Sequence, residues 1–323
     1  MFSNKYKVAY LVVFYILLST TSFSQDNWTW VNPLPHSSNF LSADFFPGTN
    51  IVVGIGASGL VMRSTDGGTN WTHIPLNVVV DMLSVSLVDN STGFIAGGGG
   101  KLYRTNNAGE TWSQVTHNLS VDLFQIIFTS SSNGFLLTGG SSREIYFTSD
   151  GGETWVSIVG YDFGRGNMNC MYTDSDQQIF FGTSNGFVYS VASPGWVVTS
   201  PLCTLTNIQS ITGNGSNLIA ISDFQSVAYS SNGGASWTNS TGAVLSLFSP
   251  VGGKFIAGAN AVLFSSNGRI ARSTDYGATW VEVPNFSNSL KLLSVAYHSG
   301  NSAILFGEYG LQYNSMDGGG SWS

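Results

Sequence analysis

An octapeptide with a carboxylate or an amide between hydroxyl residues recurs along the chain, and these polar groups are the first candidates for chemistry. It reads STDGGTNW at 64–71, TNNAGETW at 105–112, TSDGGETW at 148–155, SSNGGASW at 230–237, STDYGATW at 273–280 and SMDGGGSW at 315–322. Such a carboxylate could act as a general base, ligate a metal or accept hydrogen bonds within a turn. Asn107 and Asn232 replace the acid in two copies, which keeps an acceptor but removes the charge that the first two roles need. We therefore expect no catalytic, metal-binding or cofactor-binding role for the acidic members, which are Asp66, Asp150, Asp275 and Asp317.

The tryptophan that ends each octapeptide belongs to a regular series. Trp30, Trp71, Trp112, Trp155, Trp196, Trp237, Trp280 and Trp322 are separated by 41, 41, 43, 41, 41, 43 and 42 residues. At 190–196, SVASPGW keeps the phase but lacks the acid and the Gly pair. Six recognisable copies and one degenerate copy give seven repeats of the length used by propeller blades.

The residues between the octapeptides predict strands. Three stretches with period-two alternation precede each copy, as in LSADFF (41–46), NIVVGIG (50–56) and GLVMRS (59–64). Gly, Asn and Ser bound these stretches, and the tryptophan begins a fourth strand. Four short antiparallel strands per repeat describe a propeller blade. The sequence therefore predicts an all-β, seven-bladed β-propeller over residues 25–323.

The two ends of the repeat series and the sixth repeat depart from the regular four-strand pattern. NWTWVNP at 27–33 looks like an outer strand without its inner three, and the last repeat stops at Ser323 where its outer strand should begin. We expect the N-terminal strand to complete the last blade and the natural chain to continue, although Trp30 and Trp322 share one phase and cannot both fill that position. In the sixth repeat, VLSLFS (244–249) is the expected first strand and NAVLFSSNG (260–268) an insertion.

The N-terminus has the features of a secretory signal peptide over residues 1–24. Lys5 and Lys7 precede an apolar run from Val8 to Leu18, and small residues stand before Gln25. This predicts a protein that is secreted or held at the cell surface or in the periplasm. No run of the mature chain is long enough to span a bilayer. Charged residues make up only 9% of the sequence and glycines number 39, which is typical of a β-rich extracellular chain.

The net charge of the chain indicates which classes of partner to expect. The formal net charge is −7, and it becomes more negative once Lys5 and Lys7 are removed. No basic stripe remains for phosphate backbones, so nucleic acid is not an expected partner.

Cys170 and Cys203 allow either one disulfide or two separately buried thiols, and the sequence does not decide between them.

The repeated octapeptide resembles the Asp-box, or BNR, repeat, over essentially the whole mature chain. The order of the strand motifs looks most like the propellers of the photosystem II stability and assembly factor-like family, which has exported bacterial relatives. This resemblance implies a non-catalytic, monomeric binding or scaffold module for a protein or glycan. The signal peptide and the repeats together also resemble surface proteins of the type IX secretion route. The Asp-box resemblance also implies that each box forms the turn between the third and fourth strands, where the acid accepts backbone N–H groups and the tryptophan pins the hairpin to its sheet.

Sialidases also carry these boxes, so a sialidase-like glycosidase or glycan-binding protein is the alternative. Sialidase chemistry uses an arginine clamp on a carboxylate, whereas Arg63, Arg104 and Arg272 precede boxes on predicted third strands. Asp174 and Asp176 could form a carboxylate pair, but they fall in a predicted turn. The histidines are scattered over different repeats, at His36, His73, His117 and His298.

Strand direction predicts which face of the ring could bind a ligand. The box turns share one face with the turns between first and second strands. The opposite face carries the connections between repeats and the turns between second and third strands, and its loops depart most from the repeat. The candidate binding residues on this face are Arg143, Tyr161, Asp162, Phe163, Arg165, Glu308 and Tyr309.

Overall fold

Apolar strands bounded by Gly, Asn and Ser turns form seven antiparallel sheets in the computed structural model, which confirms the predicted all-β seven-bladed propeller. The structure describes residues 39–323 except 141–142, 159–165, 175–177, 193–196, 199–202, 224–225, 243–244, 246–248, 285–289 and 299. The signal peptide, the strand predicted at 27–33 and Trp196 lie outside the described residues. The described residues belong to one compact unit.

The first four sheets, numbered here as blades 1 to 4, follow one another along the chain. Each begins with an inner strand, and the second, third and fourth strands add outward in sequence order. Blades 1 and 2 contain β1 (Phe40–Phe45), β2 (Val52–Gly56), β3 (Val61–Ser64), β4 (Thr72–His73), β5 (Met82–Leu87), β6 (Gly93–Gly97), β7 (Lys101–Thr105) and β8 (Ser113–Gln114). Blades 3 and 4 contain β9 (Leu123–Phe128), β10 (Gly134–Thr138), β11 (Ile145–Thr148), β12 (Val156–Ser157), β13 (Met168–Thr173), β14 (Ile179–Thr183), β15 (Phe187–Ala192), β16 (Val197–Val198) and β17 (Cys203–Thr204).

The remaining three sheets, blades 5 to 7, repeat the pattern. Blades 5 and 6 contain β18 (Ile208–Asn214), β19 (Asn217–Ser222), β20 (Val227–Ser230), β21 (Thr238–Asn239), β22 (Pro250–Ala257), β23 (Asn260–Ser265), β24 (Ile270–Ser273) and β25 (Val281–Glu282). Blade 7 contains β26 (Leu292–Tyr297), β27 (Ala303–Gly307) and β28 (Gln312–Ser315). Backbone hydrogen bonds join Ser323 to Asn314 in both directions, in the register that Thr72 and Arg63 use in blade 1.

The sixth blade corrects one prediction. Its inner strand is β22 rather than 244–249, and 260–265 is the second strand rather than part of an insertion. The pair Gly252 and Gly253 looks like a turn in the sequence but lies inside β22. A Cβ on Gly252 would meet the Phe264 ring at 2.5 Å, so glycine here allows close packing of two strands.

The hydrophobic core is divided into seven clusters, each shared by two adjacent blades. The second strands are buried at every position in several blades, as β2 and β27 show, because a neighbouring blade covers each face. Phe40 of blade 1 and Phe306 of blade 7 share one cluster, with ring centroids 5.1 Å apart. The last blade therefore packs on the first, and the ring closes.

The two cysteines are separate thiols rather than a disulfide. Both are buried and free. Cys170 pairs with Gly182, Gly182 with Val188 and Val188 with Cys203, so the cysteines lie three strands apart in one sheet. At about 4.8 Å per strand their separation is about 14 Å, beyond the reach of a disulfide. Burial raises the pKa of each thiol to about 12, which keeps both protonated.

No helix among the described residues has the length and hydropathy that a membrane span requires.

Candidate binding site at the mouth of the central channel

The box turns, defined as the six octapeptides above, are closed networks of hydrogen bonds. The Ser64 hydroxyl donates to Asp66 Oδ1 (2.7 Å) and accepts the Gly68 N–H (2.9 Å). Asp66 Oδ1 also accepts the Asn70 N–H, and Oδ2 accepts the Asn70 side-chain amide. Gly68 has φ +88°, and a Cβ there would meet Ile304 of blade 7 at 2.4 Å. Both oxygens of Asp66 are thus occupied within its own turn.

The amide copies keep the same geometry with one bond reversed. The Thr105 hydroxyl donates to Asn107 Oδ1, which also accepts the Thr111 N–H. The Asn107 amide then donates to the Thr111 hydroxyl at 2.9 Å, whereas Thr154 donates its hydroxyl to Asp150. Both the acid and the amide therefore use their side-chain groups to close the turn. The same bonds form at Asn232, Asp275 and Asp317.

The box tryptophans have wider contacts than the sequence predicts. Each of the six packs in a cluster that contains residues of the preceding blade, so it joins two blades rather than pinning a hairpin to its own sheet alone. Trp280 of blade 6 is fully buried against Ile219 and Val227 of blade 5. The Trp71 indole N–H donates to Gln312 of blade 7 at 3.0 Å. The other four are Trp112, Trp155, Trp237 and Trp322.

The third-strand arginines do not form an anion clamp. Arg63 Nε donates to the Ala108 carbonyl in the box turn of the next blade at 2.7 Å, and Arg272 donates to the Asp317 carbonyl. Arg104 lies over the Phe94 ring, 5.6 Å from its centroid. Arg63 and Arg272 thus each join two successive box turns, and the three arginines do not converge on one point.

Two faces of the ring follow from the turn contacts. The Gly67 N–H donates to Asn50 O and the Gly318 N–H to Asn301 O, so box turns and first-to-second-strand turns share the box face. On the other side, called the connection face, the Ser58 N–H donates to Asp81 at the entry to blade 2. Gly99 donates in the same way to Asp122.

Tyr309 stands at the equivalent position of blade 7 on the connection face. Its N–H donates to Asn39 Oδ1 at 2.9 Å, and its φ of +56° matches Ser58 and Gly99. A tyrosine is sterically disfavoured in this left-handed conformation, yet its ring is 69% exposed. Nearby Glu308 accepts the Lys291 N–H. On the box face, Tyr276 is also left-handed, with φ +60° and 39% exposure.

The inner strands surround a central channel whose opening on the connection face, the channel mouth, encloses about 540 Å³. The second residue of every inner strand lines it and is half-buried. In blades 6, 7, 1, 2 and 3 these residues form an apolar arc, Val251, Leu293, Leu41, Leu83 and Phe124. In blades 4 and 5 they are the amides Asn169 and Gln209.

Arg143 completes the polar side of the mouth. Its guanidinium lies 4.0 Å from the Phe124 ring centroid, and Nη1 donates to the Met168 carbonyl at 3.1 Å. Burial lowers the pKa of Arg143. The structure thus brings one predicted candidate, Arg143, to the channel mouth and puts Glu308 and Tyr309 on the same face. Tyr161, Asp162, Phe163 and Arg165 lie outside the described residues.

An ion pair deeper in the channel was not predicted from the sequence. Lys254 of blade 6 reaches past blade 7 to Asp44 of blade 1, with 3.9 Å between Nζ and Oδ1. Asp44 also accepts the N–H groups of Phe45 and Leu87. Both charges interrupt otherwise uncharged inner strands, and this interruption is the sequence signal that could have revealed them.

The groups that the enzymatic alternative would use form hydrogen bonds within the fold. Asp174 accepts the Gln178 N–H inside the turn between β13 and β14, and Asp176 lies outside the described residues. His117 bonds the Gly100 carbonyl, and His298 bonds Thr49 O across the junction of blades 7 and 1. Among the described residues, no three His, Cys, Asp or Glu side chains gather as a metal site.

Comparisons with known proteins support the fold. A family model described as "Sortilin, neurotensin receptor 3" (Sortilin-Vps10) matches residues 59–191, less than half of the chain, and no curated protein matches. YCF48 bound to D1 peptide has a TM-score of 0.73 at 20% identity, covering 87% of this chain and 92% of that one. YCF48 from Cyanidioschyzon merolae gives 0.74 at 18% identity, with 87% and 97% covered. The Niastella koreensis GH74 enzyme gives 0.55 at 15% identity, with 88% and 65% covered. At these identities the likeness shows a shared propeller fold.

Proposed function

We propose that this chain is an exported, non-catalytic binding module that holds a protein or peptide partner on its connection face. The channel mouth carries the proposal, because it places an apolar arc opposite amides and a guanidinium in one open cavity. Pockets that combine apolar surface with a few convergent polar groups are the usual form of binding sites. The solved structure of YCF48 with a D1 peptide supports peptides as the first class of ligand to try.

A comparison of the side chains on the box face and the connection face supports the connection face as the binding surface. In the box turns, Asp66 and its equivalents are bonded within their own networks. On the connection face, Tyr309 and Val79 are 69% and 88% exposed, and exposed aromatic groups are frequent anchors of interfaces. The resemblance to Asp-box propellers and the predicted signal peptide at 1–24 support a structural role for the boxes and export of the chain.

The two left-handed tyrosines provide a matched test. A displayed random peptide library is selected on the purified chain, and the selected peptides are measured against Tyr309→Gly and Tyr276→Gly. Both substitutions remove an exposed ring and relieve the same backbone strain, but only Tyr309 is on the connection face. We expect binding to weaken at least about tenfold in Tyr309→Gly and to stay unchanged in Tyr276→Gly.

A glycoside panel tests the alternative class. Turnover of a fluorogenic glycoside that is lost on substituting an acidic residue would overturn the non-catalytic proposal. Peptide binding that depends on Tyr276 instead of Tyr309 would overturn the assignment of binding to the connection face. N-terminal sequencing of the exported protein checks the signal peptide, with Gln25 as the expected first residue.

A further inference from the structure

The channel mouth carries two cations although the chain as a whole is acidic, with a formal net charge of −7. The described residues that line it include Arg143 and Lys254 and no aspartate or glutamate. Asp44 lies 3.9 Å from Lys254 and partly offsets its charge, whereas Arg143 forms no ion pair within the described residues. A cavity with walls of low dielectric concentrates the field of such cations. An anionic group is therefore the charged ligand group that the mouth favours.

Both cations keep capacity for another acceptor. Arg143 uses Nη1 for the Met168 and Asn169 carbonyls, and its other N–H groups bond nothing among the described residues. Lys254 meets Asp44 only at 3.9 Å, at the limit of an ion pair, and an ammonium has three donors. The side chain of Gln209, on the same polar side, makes no hydrogen bond within the described part of the chain.

The apolar arc defines the rest of the ligand. Five consecutive blades supply Val251, Leu293, Leu41, Leu83 and Phe124, all half-buried along the cavity wall. Apolar surface of this kind gains about 25 cal/mol per Å² when a ligand covers it. The arc faces the polar side across the mouth. A ligand that contacts both sides must therefore carry an acid group and an apolar group.

We propose that the channel mouth binds a carboxylate attached to a short apolar chain, with the acid at Arg143, Gln209 and Lys254 and the tail on the arc. This inference rests on the proposed function and names the ligand chemistry. The same chemistry occurs in a short fatty acid and in an apolar residue at the end of a polypeptide.

Calorimetry with four probes tests the proposal. Octanoate represents the fatty acid and N-acetylleucine the chain terminus, and octanamide and N-acetylleucinamide are their uncharged counterparts. We expect at least one acid to bind saturably and its amide to bind at least about tenfold more weakly, since a hydrogen bond to a charged group is worth more than a neutral one. Binding of octanoate alone would indicate a fatty acid as the ligand, and binding of N-acetylleucine alone would indicate the C-terminus of a polypeptide.

Matched variants locate the site. Arg143→Met and Lys254→Met each remove one cation, and Leu83→Asn makes the arc polar. Arg269→Met and Val156→Asn are the controls at the outer rim, where Arg269 pairs with Glu282 and Val156 is 64% exposed. We expect about tenfold weaker binding in the mouth variants and none of this loss in the controls. Lys254→Met serves if Arg143→Met does not fold.

Three outcomes would overturn the inference: no saturable binding of either acid, equal binding of acids and amides, or equal losses in mouth and rim variants. If selected peptides still depend on Tyr309 while neither acid binds, the ligand chemistry is wrong and the proposed function stands. If the acids bind as expected but the selected peptides ignore Tyr309, the peptide-binding function is the part that fails.

Discussion

Aspartates at the box turns and in the channel are in opposite electrostatic environments. At Asp150, hydrogen bonds from the Thr154 hydroxyl and N–H lower the pKa to about 2. At Asp44, burial raises the pKa, and the Lys254 charge and two backbone N–H groups only partly oppose it. The same residue type is thus stabilised as an anion in one region and penalised as an anion in the other.

This difference separates structural from functional surface. Both oxygens of a box carboxylate accept hydrogen bonds from its own turn, so these bonds hold the turn together. In the channel, the polar groups are only partly satisfied, and the wall around them is apolar. The conspicuous repeated motif therefore marks the scaffold, and the residues that break the repeat mark the place where binding is expected.

Trp280→Ala is expected to have the largest effect. Loss of a fully buried tryptophan between blades should lower the free energy of unfolding by about 3–5 kcal/mol, through lost burial and the cavity left behind. Phe124→Ala, at the half-buried channel wall, should cost less than about 2 kcal/mol, since its ring faces an existing cavity. Guanidinium unfolding measures both. Equal losses would contradict the assignment of the box tryptophans to the core and of the channel wall to ligand binding.

For the stability contributed by Asp66, the negative charge should matter less than the hydrogen-bond acceptor. Asp66→Ala leaves the Asn70 N–H and the Ser64 hydroxyl without their partner and should cost about 1–2 kcal/mol. Asp66→Asn should cost less than about 0.5 kcal/mol, because Asn107 and Asn232 already occupy equivalent turns. Chemical unfolding at pH 7 checks the order. A cost for Asn as large as that for Ala would instead indicate a role for the charge.

Acid titration should show that Asp150 and Asp44 change the free energy of unfolding with pH in opposite directions. Because the folded-state pKa of Asp150 is about 2 and its ordinary value is 3.8, its stabilisation is present above about pH 4 and is lost as the pH falls towards 2. The pKa of Asp44 is raised, so its contribution is present below 3.8 and is lost as the pH rises through the folded-state value.

Carboxyl ¹³C NMR of the folded chain measures both pKa values directly. Unfolding of Asp150→Asn and Asp44→Asn across pH 2–7 then tests the linkage. Asp150→Asn should flatten the acid limb, and Asp44→Asn should flatten the opposite trend above pH 3.8. A shift of both pKa values in one direction would remove the contrast between the two regions.

A small effect of the opposite sign, a gain in stability, is expected at the two left-handed tyrosines. Tyr276→Gly and Tyr309→Gly each relieve a strained backbone but add freedom to the unfolded chain, for a net gain of about 0.5–1 kcal/mol. Thermal unfolding of both variants measures it. A stability loss in Tyr309→Gly alone would mean that its ring packs on the protein, which would weaken its assignment as a binding residue.

The local sequence predicted much of the scaffold. Tryptophan spacing predicted seven blades, and Gly, Asn and Ser turns marked most strands, because hairpins are specified by nearby residues. The strands of the sixth blade were predicted wrongly because Gly252 and Gly253 look like a turn in the sequence. Instead, Gly252 avoids a clash with Phe264 and Gly253 avoids one with Val262 and Ile221, which are contacts made across strands and blades. Local pattern cannot report such a contact.

The candidate site was predicted only in part, for a related reason. Arg143 was identified because its loop departs from the repeat. Its place on Phe124, and the reach of Lys254 to Asp44 past a whole blade, depend on ring geometry that brings distant segments together. The contacts of the box tryptophans with the preceding blade were missed for the same reason.

The junction of blades 1 and 7 has a consequence for folding speed. Trp71 and Gln312 are 241 residues apart, and His298 and Thr49 are 249 apart, whereas the other blade junctions join neighbouring repeats. The entropy of loop closure must be lost before such contacts form. We expect the last junction to limit the rate of folding, and opening it to be the first step by which the folded ring loses its kinetic protection.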